Sequence, residues 1–395
     1  MSSIRHDIAD ALDRTESFFD RLKLAYKWRF NRFLHPSIVT YRGFGTAERV
    51  WLRGRVLDDR RTKSGSHDSV LRNVATTLRR IETDEIPGAT VRVRFYDAEV
   101  VLETDEDGFF DAELCPTEID RDRNWHDAHV ELLRPLSRSG EAAQADAQVL
   151  VPGKDVEFGV ISDLDDTVVR SGAQNRLQMS RVVLLNNAST RSPFPGVATF
   201  YRALLEGPDR QGDNPIFYVS GSPWNLYDLF DDFLQAHDVP VGPVLLRDYG
   251  FSSDRFFFGS GQRYKKAAID RILSAFPGLP FVLIGDSGQR DPEIYQQAVS
   301  RHPGRIRAIF IRDVTPPERD AEVRAIAQEL EAMGVPTVLV RETEDAARKA
   351  AELGLVAREA LRELVVSARE ERQSERRESR LLERLRSYFP SFSAS

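Results

Sequence analysis

The sequence predicts an α/β protein: a parallel sheet covered by helices on both faces, a small β-sandwich-like domain ahead of it, and helical ends. Three observations predict this. Six short apolar runs, at 158–163, 215–220, 243–247, 281–286, 306–311 and 336–340, alternate with helical stretches at 223–236, 263–276, 292–302 and 317–333, the rhythm of βαβ units. Over 37–150, short runs such as RVWLRGRVL and DAHVELLRP alternate apolar and polar residues between turn signals, as half-buried strands do. Both ends of the chain read as helix. Its 395 residues divide on this reading into 1–36, 37–150, 151–345 and 346–395.

Taken in order, residues 3–34 space Ile4, Ile8, Leu12, Phe19, Leu22 and Tyr26 along one side of a helix, and Pro36 supplies the stop. Its second half, FFDRLKLAYKWRFNRFL, interleaves six aromatic side chains with five basic ones. Such a helix either lies on an anionic membrane or braces a neighbouring domain. In the β region, TVRVRFYDAEVVLETDEDGFFDAEL predicts a hairpin closed at Asp107-Gly108. Residues 60–85 are polar and Arg-rich, a loop or a helix. In 369–386, seven Arg stand among five Glu, the pattern of a solvated helix laced with i,i+4 pairs.

Composition narrows the function classes. One cysteine, Cys115, excludes an internal disulfide and suits a reducing compartment, and it is expected to be buried. A net charge of −7 argues against dedicated nucleic-acid binding. No apolar run approaches the roughly 20 residues of a membrane span, and the charged start MSSIRHDIADALDR is no signal peptide. A cytoplasmic protein is expected.

Chemistry concentrates at predicted strand ends. In FGVISDLDDTVV, a strand delivers Asp163, Asp165, Asp166 and Thr167 at its C-terminal end, the edge where open parallel sheets place their sites. Clustered carboxylates are costly unless a cation is present, and hard oxygen ligands suit Mg²⁺. IFYVSGSP ends a second strand with Ser220 and Gly221, a hydroxyl and backbone N–H groups fit for phosphate oxygens. Lys265 sits early in the helix KKAAIDRIL, and FVLIGDSGQRDPEIY ends a third strand with Asp286, followed by Asp291. Singly, Ser220 reads as an N-cap, Lys265 as a solvated lysine and Asp291 as the cap before Pro292. Four fitting residue types in order, each at a strand end or its adjoining helix, favour a site.

This order resembles the haloacid-dehalogenase-like phosphatases. VISDLDDTVV, VSGSPWNLY and FVLIGDSGQRDPEIY are similar, more narrowly, to fungal actin-patch phosphatidate phosphatases and their bacterial relatives. The resemblance covers 155–315 most strongly. It implies a Rossmann-like catalytic sheet and an aspartyl-phosphate on Asp163, with Asp165 giving and then taking the proton. It implies Mg²⁺ held by Asp163, the Asp165 carbonyl and Asp286, with Asp291 supporting the ion or a water bound to it. Ser220 and Lys265, rather than Lys266, then neutralise the phosphoryl group, beside Gly221 and Thr167.

Spacing bears on the substrate. Only 52 residues separate Thr167 from Ser220, and about fifteen follow the 243–247 strand before Lys265, which leaves a minimal cap and an open site suited to a large or membrane-borne phosphoester. In RDYGFSSDRFFFGSGQRYKK, Phe257 and Phe258 are either acyl-chain contacts or a buried strand. Three functions follow from these readings: a phosphatidate phosphatase in peripheral contact with a membrane, a phosphatase of the same mechanism acting on a phosphoprotein or other phosphoester, and a non-enzymatic adaptor using the helical ends. The β domain carries no pattern that names a protein partner.

Overall fold

The structure is a computed structural model that describes residues 35–58, 84–137, 140–168, 193–247, 261–314 and 317–388. The N-terminal amphipathic helix, nearly all of the Arg-rich stretch, and Phe257 with Phe258 lie outside the described residues.

The first unit is built of β1 (Pro36–Thr40), β2 (Gly43–Gly45), β3 (Val50–Asp58), β4 (Asp84–Glu85), β5 (Thr90–Phe95), β6 (Ala98–Glu103), β7 (Phe109–Leu114), β8 (Trp125–Arg134) and β9 (Gln144–Leu150). Their order is β1-β3-β2-β9-β8-β5-β6, with β4 and β7 on the other edge of β3. The nine strands form one continuous hydrogen-bonded network, because β3 pairs along both of its edges. Alternation buries Val50, Leu52 and Val56 of β3 with Val91, Val93, Phe110, Val130 and Val149 in a single core.

The hairpin expected at Asp107-Gly108 closes one turn earlier. Phe95 pairs with Ala98 across Tyr96-Asp97, and Tyr96 takes the left-handed φ of 52°. What looked like one long strand is two, and β7 leaves to pair with β3. Asp107-Gly108 still turns the chain. Gly108 has φ 75°, and a Cβ there would sit 2.7 Å from the Val56 carbonyl oxygen, so glycine is required by both conformation and space. Cys115 is exposed rather than buried: the same alternation turns Leu114 inward and leaves its successor outside.

The second unit is a six-stranded sheet, all parallel, in the order β12-β11-β10-β13-β14-β15. Its strands are β10 (Gly159–Ser162), β11 (Ile216–Pro223), β12 (Val244–Arg247), β13 (Phe281–Asp286), β14 (Ile306–Arg312) and β15 (Thr337–Val340). Each coincides with a predicted apolar run. Helices α1 (Val197–Glu206), α2 (Tyr227–Ala236), α6 (Thr343–Glu352) and the start of α7 (Ala360–Tyr388) cover one face. Helices α3 (Gly261–Ala275), α4 (Asp291–Arg301) and α5 (Pro317–Ala332) cover the other. Strand order runs outward in both directions from β10, so the crevice of such a sheet lies at the C-terminal ends of β11, β10 and β13.

The two units share aromatic cores. Tyr41 and Phe109 of the β unit meet Trp224, and Tyr41 also meets Tyr227. On the opposite face Phe44 packs on Phe217 and Phe276. The Arg42 N–H donates to the Tyr227 hydroxyl at 3.0 Å, and its guanidinium pairs with Asp231. Among the described residues no helix is long and apolar enough to cross a membrane.

Candidate active site

Each site residue is placed by the strand or turn that carries it. Gly159–Ser162 is wholly buried, and Asp163 follows it with its N–H bonded to the Ile284 carbonyl of β13 at 2.9 Å. The turn after it is tight: Asp166 adopts φ 57°, a left-handed conformation that Asp tolerates better than most residues. Thr167 returns to donate to Asp163 Oδ2 at 3.3 Å. On the neighbouring strand, Ser220 and Ser222 donate to one oxygen of Asp165, Oδ2, at 2.8 and 3.1 Å. The Asp165 carbonyl accepts from Gln289 Nε2 at 3.4 Å.

Lys265 lies in the second turn of α3, and its ammonium is buried. It stands 2.6 Å from Asp163 Oδ1 and 2.8 Å from Asp291 Oδ1, and it donates to Gln289 Oε1 at 3.1 Å. Asp291 opens α4, yet its carboxylate turns inward instead of capping the helix: its second oxygen accepts the Asp286 N–H at 3.2 Å. Gly285 makes room for this. A Cβ there would fall 2.6 Å from Asp291 Oδ2 and 2.7 Å from the Tyr295 hydroxyl, and that hydroxyl is itself fixed on the Ile284 carbonyl at 2.7 Å.

The electrostatics are unbalanced. Asp163, Asp286 and Asp291 are buried and offer oxygens within 4.8 Å of one another, with the buried Lys265 ammonium paired to Asp163 and Asp291. Burial, then the charge of Asp291, pushes Asp286 up to about 7. Burial also raises Asp163 well above the usual carboxylate range, with Lys265 opposing the shift and Asp291 and Asp286 adding to it. Burial disfavours the Lys265 charge, but the surrounding carboxylates, Asp163 first, outweigh it and raise its pKa. One oxygen of Asp286, Oδ2, is buried without a hydrogen-bond partner among the described residues. A buried carboxylate oxygen left unpaired is expensive, so three hard oxygen donors around an uncompensated negative charge fit a divalent cation.

The structure thus brings together Asp163, Asp165, Thr167, Ser220, Lys265, Asp286 and Asp291, with Gly221 next to Ser220 in β11. Ser220 faces Asp165 rather than an open pocket. Sequence reasoning missed Ser222, Gln289, Gly285 and Tyr295. Only Gly285 carried a signal, a glycine at the last-but-one position of a buried strand, where the chain backs closely against something.

Comparison with known proteins bears on the same segment. Residues 158–313 match the family model described as "Phosphatidate phosphatase APP1, catalytic domain", which supports the resemblance drawn from the motifs. The chain is 33% identical over 156 residues to the phosphatidate phosphatase APP1 of Saccharomyces cerevisiae, covering 39% of this chain and 26% of that protein. It is 27% identical over 159 residues to an uncharacterized protein of Schizosaccharomyces pombe, covering 40% and 25%. The chain therefore spans about a quarter of the length of these curated relatives. Among solved structures, it is similar to a β-glucuronidase of Bifidobacterium dentium at 12% identity and a TM-score of 0.23, over 77% of this chain and 52% of that one, a likeness too low to carry an argument.

Proposed function

We propose that the protein is a Mg²⁺-dependent phosphatidate phosphatase that works through an aspartyl-phosphate on Asp163, in a haloacid-dehalogenase-like domain with a minimal cap. The observation that carries this reading is the convergence of Asp163, Lys265, Asp286 and Asp291 at the C-terminal ends of adjacent parallel strands, in a segment matching a phosphatidate phosphatase catalytic domain.

The residues divide the work. Asp163, Asp286 and Asp291, with the Asp165 carbonyl, would hold Mg²⁺, which supplies charge neutralisation to the phosphoryl oxygens. Lys265, fixed between Asp163 and Asp291, favours the ionised form of Asp163 against its burial and presents a positive charge to the incoming phosphate. One Asp163 oxygen attacks phosphorus as the bond to the lipid oxygen breaks, and Asp165 gives the departing alkoxide a proton. Water then attacks the aspartyl-phosphate and Asp165 takes its proton, so inorganic phosphate leaves and both carboxyl groups return to their starting states. Ser220 and Ser222 hold the Asp165 carboxylate in one rotamer for both transfers. The protein acts as a cytoplasmic enzyme that visits the membrane surface.

Phosphate release from phosphatidate in mixed micelles, with Mg²⁺ and then with EDTA, tests the reading. Turnover on phosphatidate that EDTA abolishes is expected. Turnover of a phosphopeptide but not of phosphatidate would replace the substrate class, and equal rates with EDTA would remove the metal.

A further inference from the structure

One strand beyond Asp286, the same edge of the sheet opens into a cavity of about 340 Å³. Arg312 ends β14 and pairs in register with Asp286, but its side chain serves a different space. It is 8% exposed and held from three sides. Its guanidinium donates to the Arg341 carbonyl at 3.3 Å and to the Thr343 hydroxyl at 3.2 Å, and lies 3.9 Å from the centre of the Phe194 ring. Arg341, just past β15, lines the same cavity, as do Arg372 and Arg376, one turn apart on α7. Helix α6 starts there at Thr343.

Four guanidinium groups face this space against one lining carboxylate, Glu342. Asp313 pairs with Arg341 at 2.8 Å, Glu342 pairs with Arg372 at 3.3 Å, and Glu344 also pairs with Arg372. Ion pairs so near solvent contribute little stability and exchange readily for another oxyanion. The catalytic cluster beside it has the opposite sign, three carboxylates around one lysine.

We propose that this cavity is a second site, one that binds a phosphate group and is separate in its residues from the catalytic cluster. Guanidinium forks match phosphate oxygens two at a time, and a helix N-terminus adds backbone N–H groups and a positive dipole end. Buried Arg312 supplies a preset floor; Arg341, Arg372 and Arg376 close over the ligand from the rim. The phosphate is carried either by a lipid headgroup or by a soluble molecule. The site does not rest on the phosphatase reading, because none of its residues takes part in that chemistry.

The test uses the full chain in EDTA, which leaves the catalytic carboxylates without a divalent cation to draw phosphate in, so that calorimetric binding of inorganic phosphate reports the arginine cavity. Saturable binding is expected, weakened about tenfold or more in the double variant Arg341→Gln, Arg376→Gln. Both side chains are exposed, so an unchanged melting temperature accompanies the loss. A second arm measures co-sedimentation with phosphatidylcholine vesicles with and without phosphatidylglycerol. Loss in both arms, in the vesicle arm alone, or in the phosphate arm alone supports the site and tells which form of the ligand it takes. Binding unchanged by the double variant in both arms overturns it.

Discussion

Asp286→Asn separates a metal site from an ordinary buried aspartate. In the metal-free protein Asp286 is displaced from 3.8 to about 7. The folded state therefore holds this proton more tightly than the unfolded chain does. Stability from this group is lost as pH rises between about 4 and 7. At about 1.4 kcal/mol per pH unit, the ionised group costs the folded protein about 4 kcal/mol by pH 8. Asparagine keeps the acceptor that receives the Gln289 N–H at 2.8 Å and removes the charge. Its amide NH₂ takes the place of the unpartnered Oδ2 and returns about 1–3 kcal/mol as a cost where it finds no acceptor. The variant should thus be more stable than the parent by about 2 kcal/mol at pH 8 in EDTA, with the gain gone by about pH 5 and the variant about 2 kcal/mol less stable than the parent near pH 4, where only the amide cost remains. At roughly 2–4 °C per kcal/mol, that is a rise of several degrees in melting temperature. Mg²⁺ should stabilise the parent by about 2.7 kcal/mol at a hundredfold excess over its dissociation constant, and the variant far less. Thermal melts across pH, with EDTA and with Mg²⁺, read both effects. A variant less stable than the parent at every pH, or one that keeps the full Mg²⁺ response, would refute the reasoning.

Other outcomes follow from the same geometry. Gly285→Ala places a methyl group against Asp291 Oδ2 and the Tyr295 hydroxyl; turnover should fall about tenfold to a hundredfold, as the loss of a group supporting a ligand does, while circular dichroism stays native, and near-parental activity would show that Asp291 need not be where it stands. Lys265→Met strands Asp163 and Asp291 without their buried cation; denaturant melts in EDTA should lose about 3–5 kcal/mol, and a loss under about 1 kcal/mol would mean the carboxylates are already protonated. Asp165→Asn should abolish turnover with the fold intact, since an amide neither gives nor takes the required proton; substantial activity would assign that step elsewhere.

Much of the second unit was legible because its strands are buried on both faces. Continuous apolar runs such as FVLIGD and IRAIFIR have few readings other than central parallel strands, and the acids that follow them had to fall on one edge. Helix α1, needed somewhere between Thr167 and Ser220, could not be placed. It starts at Val197, behind Gly196 rather than a side-chain cap, with no acid in its first turn, so no start signal marked it. In the β unit, pairing was the hard part. Alternation predicts faces but not partners, and Tyr96-Asp97 is a weak turn signal beside Asp107-Gly108. At the site, the motifs named the carboxylates, the lysine and Ser220. They could not show that Ser220 and Ser222 converge on Asp165, or that Gln289 links Lys265 to the Asp165 carbonyl. Those contacts depend on side-chain directions that strand packing decides.

The central claim is that Asp163 carries the phosphoryl group of a lipid. Its most direct test is phosphate release from phosphatidate in mixed micelles with Mg²⁺ present, comparing the parent protein with Asp163→Asn at equal folded concentration. The account predicts turnover by the parent and none above background by the variant, whose thermal melt remains cooperative. A folded Asp163→Asn protein that hydrolyses phosphatidate at the parental rate would contradict it.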